Sequence, residues 1–285
     1  MSIDLSAEPL PAVAEQPPAL RPLALPRPRT WDWTHIARCV TLAVVAGLLH
    51  SMGWLFVGSW YVVWVAQAAL IFLGGSCRPR QAMVYGTLAG AVGIGLSFYW
   101  GVAALQTTFE AAPLVAWAVF LLLVAIEAAA MGLFCLAVSI AATRSARFMW
   151  LVPCVWVAIE HWYPRVFPWK MGYSQLEFLP LVQMAELVGP TGISFVMTAV
   201  AAIPTVLVLG FWQPLPSSER RWASAYVASA GLLLAATLAF GYVRISQWSE
   251  WVREQPKLKL ALVQVDPVFM GSEKKFRERS LAVHD

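Results

Sequence analysis

The sequence predicts an all-α polytopic membrane bundle of about seven transmembrane helices. Apolar residues make up 59% of its 285 residues and charged residues only 13%, whereas charged residues are about 25% of an average soluble protein. Between Cys39 and Ala142, Asp, Glu, Lys and Arg occur at only four positions. A bilayer accommodates this much apolar surface, but a soluble chain of this length cannot bury it.

Residues 1–34 form a proline-rich tail. Seven prolines lie between Pro9 and Pro28, with acidic residues first and arginines later. Proline at this density interrupts helices and supports no hydrophobic core, so we expect a disordered tail.

Apolar runs long enough to cross a bilayer occupy most of residues 35–244, which we interpret as the transmembrane domain. The hydrocarbon core is about 30 Å thick and requires about 20 helical residues. The first two runs are nearly continuous at Gly58 and suit a helical hairpin, and the fifth is short. The candidate spans are 36–56, 58–76, 82–101, 113–142, 148–163, 191–212 and 223–244.

The distribution of Lys and Arg predicts the orientation. Arginines lie in the tail and after the second, fourth and sixth candidate spans, whereas the alternate loops 102–112 and 164–190 contain only Arg165 and Lys170. The positive-inside rule therefore places the tail in the cytoplasm and the residues after about 245 on the opposite side. Because the basic residues follow this pattern, the net charge of +4 does not indicate a nucleic-acid partner.

Two features inside the spans predict how the helices pack. Gly86 and Gly90 are four residues apart and would give the third span a flat face for close helix contact. Glu127 lies in the middle of the fourth span, where a charged side chain costs about 2.5–3.5 kcal/mol on insertion scales. It should therefore face a partner or a wet cavity, and a hydrogen-bonded packing role is favoured over a direct functional one.

The amino-acid composition of the chain changes after residue 244. Residues 245–256 are polar and aromatic and suggest a linker, and residues 257–265 form a nearly continuous apolar run typical of a buried strand. A basic, helix-like stretch follows from Ser272. One strand and one helix cannot form a core, so we expect 245–285 to be a linker and the truncated start of an α/β domain.

The four cysteines do not suggest a metal site. Cys39, Cys135 and Cys154 lie in or beside apolar runs and Cys77 lies in a short loop, without a CxxC or another recognisable Cys/His motif. We therefore expect small buried thiols, no metal and no cofactor.

The loop between the fifth and sixth candidate spans is the most unusual stretch. It follows a W-x-x-x-E pattern (Trp156 and Glu160) and reads FPWKMGYSQ over 167–175. Proline and glycine constrain the backbone, and aromatic side chains suit headgroup depth. The chemistry alone favours either a lipid-contacting loop or an ordinary aromatic belt. The candidate substrate-binding residues are Glu160, Phe167, Pro168, Trp169, Gly172, Tyr173 and Gln175.

These motifs, together with LVGPTGISF at 187–195 and ALVQ at 261–264, resemble the apolipoprotein N-acyltransferase family. The resemblance implies a bacterial inner-membrane enzyme, with a bundle of helices followed by an extracytoplasmic nitrilase-like (carbon–nitrogen hydrolase) domain. It also implies transfer of an acyl chain from a membrane phospholipid, through a cysteine thioester, to the N-terminal diacylglyceryl-cysteine of a lipoprotein.

The family's catalytic Glu, Lys and Cys lie beyond that domain's first strand, and none of the four cysteines matches the nucleophile. Glu273 stands where the family tends to have tryptophan. We therefore expect this chain to contain no catalytic residue and to be inactive alone. We also expect it to be a monomer. Two alternatives remain open: a non-catalytic lipid-binding or scaffold module, and a related membrane acyltransferase.

Overall fold

The computed structural model describes residues 33–144, 146–212 and 217–257, together with residue 261. Helices and their short connections account for these residues, and no strand occurs among them. The helices are α1 (Trp33–Leu55), α2 (Val62–Ser76), α3 (Pro79–Ser97), α4 (Trp100–Thr108), α5 (Pro113–Arg144), α6 (Val152–Trp162), α7 (Leu179–Val182), α8 (Ala185–Ala201), α9 (Ile203–Trp212) and α10 (Ser217–Glu254), with 3-10 helices at Ala146–Leu151 and Met171–Gln175.

Several helices are long and apolar enough to cross a membrane, which confirms the multi-pass helical class. Within the described ranges these are α1, α5, the stretch Ala185–Val208 and α10, and α3 with α4 makes a fifth that is bent by 51°. The predicted runs 58–76 and 148–163 contain shorter helices: α2 has 15 residues and α6 has 11. The count of about seven spans therefore stays a prediction.

The centre of the bundle is α3, which packs against α5 and α1. Glycine makes the α3–α5 contact close: a Cβ atom on Gly86 would lie 2.7 Å from the Cβ of Cys135, and one on Gly90 would lie 2.7 Å from the Cα of Ala128. Both distances are too short for a real carbon pair, so the predicted flat glycine face is confirmed.

Helix α8 is broken near its start, and the break sets the position of the later loop contacts. Gly189 has a φ of 64°, a left-handed conformation that glycine adopts without the usual Cβ penalty. Pro190 follows and lacks the N–H that a continuous helix would use. The helix then continues to Ala201 and, after Ala202, into α9.

The last helix extends further than the sequence predicts. Helix α10 runs to Glu254, so the stretch 245–254 is helical and the expected domain boundary at 244 falls inside α10. Arg244 pairs with Glu186 of α8 through its Nε (2.8 Å) and its NH2 group (2.6 Å), which ties this part of α10 to the bundle.

Three expectations concern segments that are wholly or mostly beyond the described residues. The tail is described only from Trp33, and the helix expected from Ser272 is outside the described ranges. Of the strand expected over 257–265, only Lys257 and Ala261 are described, and both lack regular structure.

Candidate functional site

The connection between α6 and α7 is held by buried polar side chains from the surrounding helices. The first is Glu160 on α6. Its Oε1 atom accepts hydrogen bonds from Trp156 Nε1, one turn earlier, and from the backbone N–H of Met171, both at 2.8 Å. Glu160 is buried. The W-x-x-x-E pattern thus places a carboxylate where it fixes the start of the 3-10 helix Met171–Gln175.

The second anchor is Glu127, in the middle of α5. Its Oε2 accepts a hydrogen bond from Trp169 Nε1 at 3.1 Å, and its Oε1 accepts one from Val166 N at 3.2 Å. The NH1 atom of Arg165 lies 3.6 Å from Oε2. Glu127 therefore has the partners that its position requires, as the sequence predicted.

Arg165 completes this anchor. Its side chain is only 5% exposed, and the guanidinium carbon lies 4.3 Å from the centre of the Trp169 ring. Burial lowers the pKa of Arg165, and the Glu127 carboxylate raises it. Arginine has such a high intrinsic pKa that it stays charged in this setting, so the loop and α5 share a buried ion pair.

The third anchor is Gln175, at the end of the motif. Its Oε1 accepts a hydrogen bond from Trp64 Nε1 at 2.8 Å, and its Nε2 donates to the carbonyl oxygen of Trp60 at 3.0 Å. Gln175 is fully buried. The side-chain amide therefore links the loop to the start of α2, which lies more than one hundred residues earlier in the chain.

Gly172 brings the loop into direct contact with α8. Its N–H donates to Ser194 Oγ at 2.9 Å, and that hydroxyl donates to the carbonyl oxygen of Pro190 at 3.2 Å. A Cβ atom on Gly172 would overlap that same carbonyl oxygen and lie 3.1 Å from the Cβ of Ile193. The FPWKMGYSQ and LVGPTGISF motifs therefore pack on each other, and Pro190 fills the space beside Gly172.

The candidate residues fall into two groups by exposure. Glu160, Gly172 and Gln175 are buried and bonded, and Trp169 is partly buried. Phe167 (41% exposed), Pro168 and Tyr173 (40% exposed) face outward. The ring of Phe167 also stacks on Phe98, with centroids 5.6 Å apart and planes within 3°. We call Phe167, Pro168 and Tyr173 the exposed loop face.

His50 and Trp54 of α1, which the sequence did not indicate as site residues, lie beside the second anchor. Their rings are 5.8 and 5.7 Å from that of Trp169, both in edge-on arrangements. These rings help to line a cavity of about 20 Å³, close to the size that one water molecule occupies. The sequence signal for this pair was their spacing of four residues, which places both side chains on one face of an apolar helix.

A second group that was not predicted from the sequence lies at the start of α1. The ligand atoms of His35, Cys39 and Cys77 all lie within 4.8 Å of one another. Only the spacing of four residues between His35 and Cys39 is visible in the sequence, because Cys77 arrives from the α2–α3 connection.

The fold and the anchored loop define a helical membrane protein with an aromatic surface at one of its connections. Residues 46–203 match the family model described as the apolipoprotein N-acyltransferase N-terminal domain. Because this match covers more than half of the chain, the chain belongs to that family.

Three curated relatives, each named apolipoprotein N-acyltransferase, agree with this assignment. The chain is 28% identical over 214 residues to the protein from Geobacter metallireducens, covering 72% of this chain and 39% of the relative. It is 24% identical over 217 residues to that from Pasteurella multocida, covering 75% and 39%. A shorter match, 36% over 95 residues, occurs with the Bradyrhizobium diazoefficiens protein and covers 33% and 17%. The chain thus spans well under half the length of these relatives.

Proposed function

We propose that this chain provides the membrane part of an N-acyl transfer from a phospholipid to the N-terminal diacylglyceryl-cysteine of a lipoprotein. Family membership supports the reaction class. The observation that carries the proposal is the loop: three buried anchors hold its backbone while Phe167, Pro168 and Tyr173 stay exposed.

In the proposed arrangement the chain is a multi-pass protein of a bacterial inner membrane. The tail 1–34 and the arginine-bearing turns face the cytoplasm, and the loop 164–190 and the residues after about 245 face the other side. Domain 35–244 then crosses about seven times, with α2 and the segment 148–163 as its short spans. The stretch 257–265 begins a nitrilase-like domain.

This arrangement suits a reaction in which both substrates are anchored in lipid. The exposed loop face would contact acyl chains near the headgroups, where aromatic rings are favoured. Trp169 would position this face, and Glu160, Gly172 and Gln175 would hold the loop. We assign no catalytic residue to this chain, and the thiolate, base and oxyanion contacts of acyl transfer belong to the domain that follows in its relatives.

A chimera tests this assignment. Residues 1–257 would be joined to the C-terminal domain of the Geobacter metallireducens relative, and acyl transfer from phospholipid to a diacylglyceryl peptide would be measured. Phe167→Ala and Tyr173→Ala remove exposed rings without a buried polar contact. We expect each to lower kcat/KM about tenfold, a loss of about 1.4 kcal/mol in transition-state binding, with unchanged reactivity of the nucleophilic thiol. The melting temperature should be unchanged for Tyr173→Ala and slightly lower for Phe167→Ala, whose ring stacks on Phe98.

The control is Leu232→Ala, which removes an exposed apolar side chain (71% exposed) from α10 and should leave activity unchanged. Trp169→Ala is informative in a different way: it breaks the bond to Glu127 and should lower stability and activity together. Full activity of both Phe167→Ala and Tyr173→Ala in a chimera that transfers acyl groups would overturn the delivery role and leave the loop as a brace between helices.

A further inference from the structure

Two sulfur atoms and an imidazole lie close together at the start of α1. The proposed topology places this end of the helix near the cytoplasm. The Sγ atoms of Cys39 and Cys77 are 3.2 Å apart, and Cys39 Sγ lies 3.5 Å from His35 Nε2. Cys39 is 5% exposed and Cys77 is fully buried, while His35 is partly exposed. None of these side chains takes part in the anchored loop.

The local sequence explains why these three residues meet. His35 and Cys39 are four residues apart in α1 and therefore share one face of the helix. Cys77 is in the extended conformation that ends α2, and Arg78 is held extended by Pro79, the first residue of α3. The hydroxyl of Ser139 on α5 donates to the Cys77 carbonyl at 2.6 Å, which fixes this turn against the bundle.

We propose that His35, Cys39 and Cys77 form a binding site for Zn²⁺. Two thiolates, one imidazole and a solvent molecule make a tetrahedral set that zinc accepts. On binding, both thiols release their protons to solvent, the imidazole stays neutral, and no electrons are transferred. Two thiolates then neutralise the divalent charge, so the bundle buries no net charge at this point.

The geometry favours a metal ion over a disulfide. Sulfur atoms about 2.3 Å from a tetrahedral zinc lie about 3.7 Å from each other, so the two thiols need to separate by only about half an ångström. A disulfide requires about 2.05 Å, a closure of more than 1 Å, and has no use for His35. The bound ion would connect the start of α1 to the α2–α3 turn.

The site is testable on the intact chain in detergent. The protein would be stripped with a chelator under reducing conditions and titrated with Zn²⁺ against a competing chromophoric chelator. We expect one tightly bound equivalent per chain and a rise in melting temperature. Co²⁺ in place of Zn²⁺ should give a thiolate-to-metal charge-transfer absorption band.

Variants separate this site from the other cysteines and histidines. His35→Ala, Cys39→Ser and Cys77→Ser should each weaken binding by more than the roughly 10–100-fold that loss of an outer-shell partner causes. Cys154→Ser and His161→Ala alter an exposed thiol and an exposed imidazole elsewhere and should bind normally.

A measurement on the unmodified protein avoids any dependence on the folding of the variants. During a brief denaturant pulse that exposes buried thiols, bound Zn²⁺ should slow the alkylation of Cys39 and Cys77, but not of Cys154, and the chelator should remove this protection. The proposal is overturned if the folded wild-type chain binds no Zn²⁺, if Cys154→Ser abolishes binding equally, or if mass spectrometry finds Cys39 and Cys77 joined as a disulfide in protein isolated from membranes with its free thiols blocked at lysis.

Discussion

Glu127 and Arg165 lie on different elements and are both almost fully buried, with side chains 1% and 5% exposed. Neither charge is tolerable there alone, because an unpaired ion in a low-dielectric interior loses its hydration without compensation. Trp169 adds a hydrogen bond to the carboxylate and a ring face to the guanidinium. The pair therefore links the loop to α5 and places the two opposite charges beside each other.

Removal of the carboxylate should be costly. Glu127→Ala leaves the Arg165 cation buried without its partner, and breaking such a pair costs about 3–5 kcal/mol. We expect a clear drop in the thermal unfolding temperature in detergent. Combining it with Arg165→Met should recover much of the loss, since the stranded charge is then gone. The control Glu250→Gln changes an exposed acid, and a Glu127→Ala variant as stable as this control would contradict the account.

At the scale of single residues, the sequence predicts that Glu127 needs a partner but not which residues provide it. A glutamate amid apolar residues must be paired, and that much follows from solvation alone. Arg165 and Trp169 lie about forty residues later in the chain, and only the packing of the loop on α5 brings them together. The burial of Gln175 against Trp64 was likewise not predictable, because neither residue occurs in a local pattern that indicates the other.

The 3-10 helix Met171–Gln175 and helix α8 form a contact between elements that depends on the absence of a side chain. Gly172 packs against the carbonyl of Pro190, at the point where Gly189 breaks α8. The break places Pro190 at the start of the resumed helix, where its carbonyl oxygen meets Gly172. The contact between the two motifs therefore accounts for the glycine at position 172 in one motif and for the helix break at Gly189 in the other.

A methyl group at this contact should disrupt it. Gly172→Ala forces the loop away from Pro190, and overpacking of this kind costs about 1–3 kcal/mol. We expect a lower melting temperature and faster proteolysis within 163–178. Gly101→Ala is the matched control, because no heavy atom lies within 4 Å of its added carbon and alanine is favoured in a helix. Equal stability of the two variants would show that the loop does not rest on α8.

The elements themselves were only partly predictable. Apolar runs show where helices lie, but the length of a run does not show whether it forms one helix or is broken into two. Helix α3 bends into α4 after Ser97, whose hydroxyl donates back to the Gly93 carbonyl at 2.8 Å, a bond that favours bending. Residues 102–108, expected in a loop, are therefore helical. The α10 helix passes the predicted boundary because residues 245–254 continue its hydrogen bonding despite their polar composition.

At the scale of the whole molecule, composition alone predicted the class, because 59% apolar content in a chain of this length requires a lipid environment. The family followed from short motifs whose residues make the loop contacts described above. The orientation depends on the arginine distribution, a weaker signal that acts during insertion and leaves no direct mark on the packed bundle. It therefore requires a measurement on the protein in its membrane.

Thiol labelling in intact cells tests the central claim, that the anchored loop and the start of α10 face opposite sides of the membrane. In a Cys154→Ser background the remaining cysteines are buried, so Leu176→Cys and Ser218→Cys introduce two exposed probes. With the outer membrane permeabilised, a membrane-impermeant thiol reagent should label position 176 directly and position 218 only after the inner membrane is disrupted. Labelling of position 218 but not 176 in intact cells, or equal labelling of both, would contradict the proposed topology and with it the delivery of lipid by the loop.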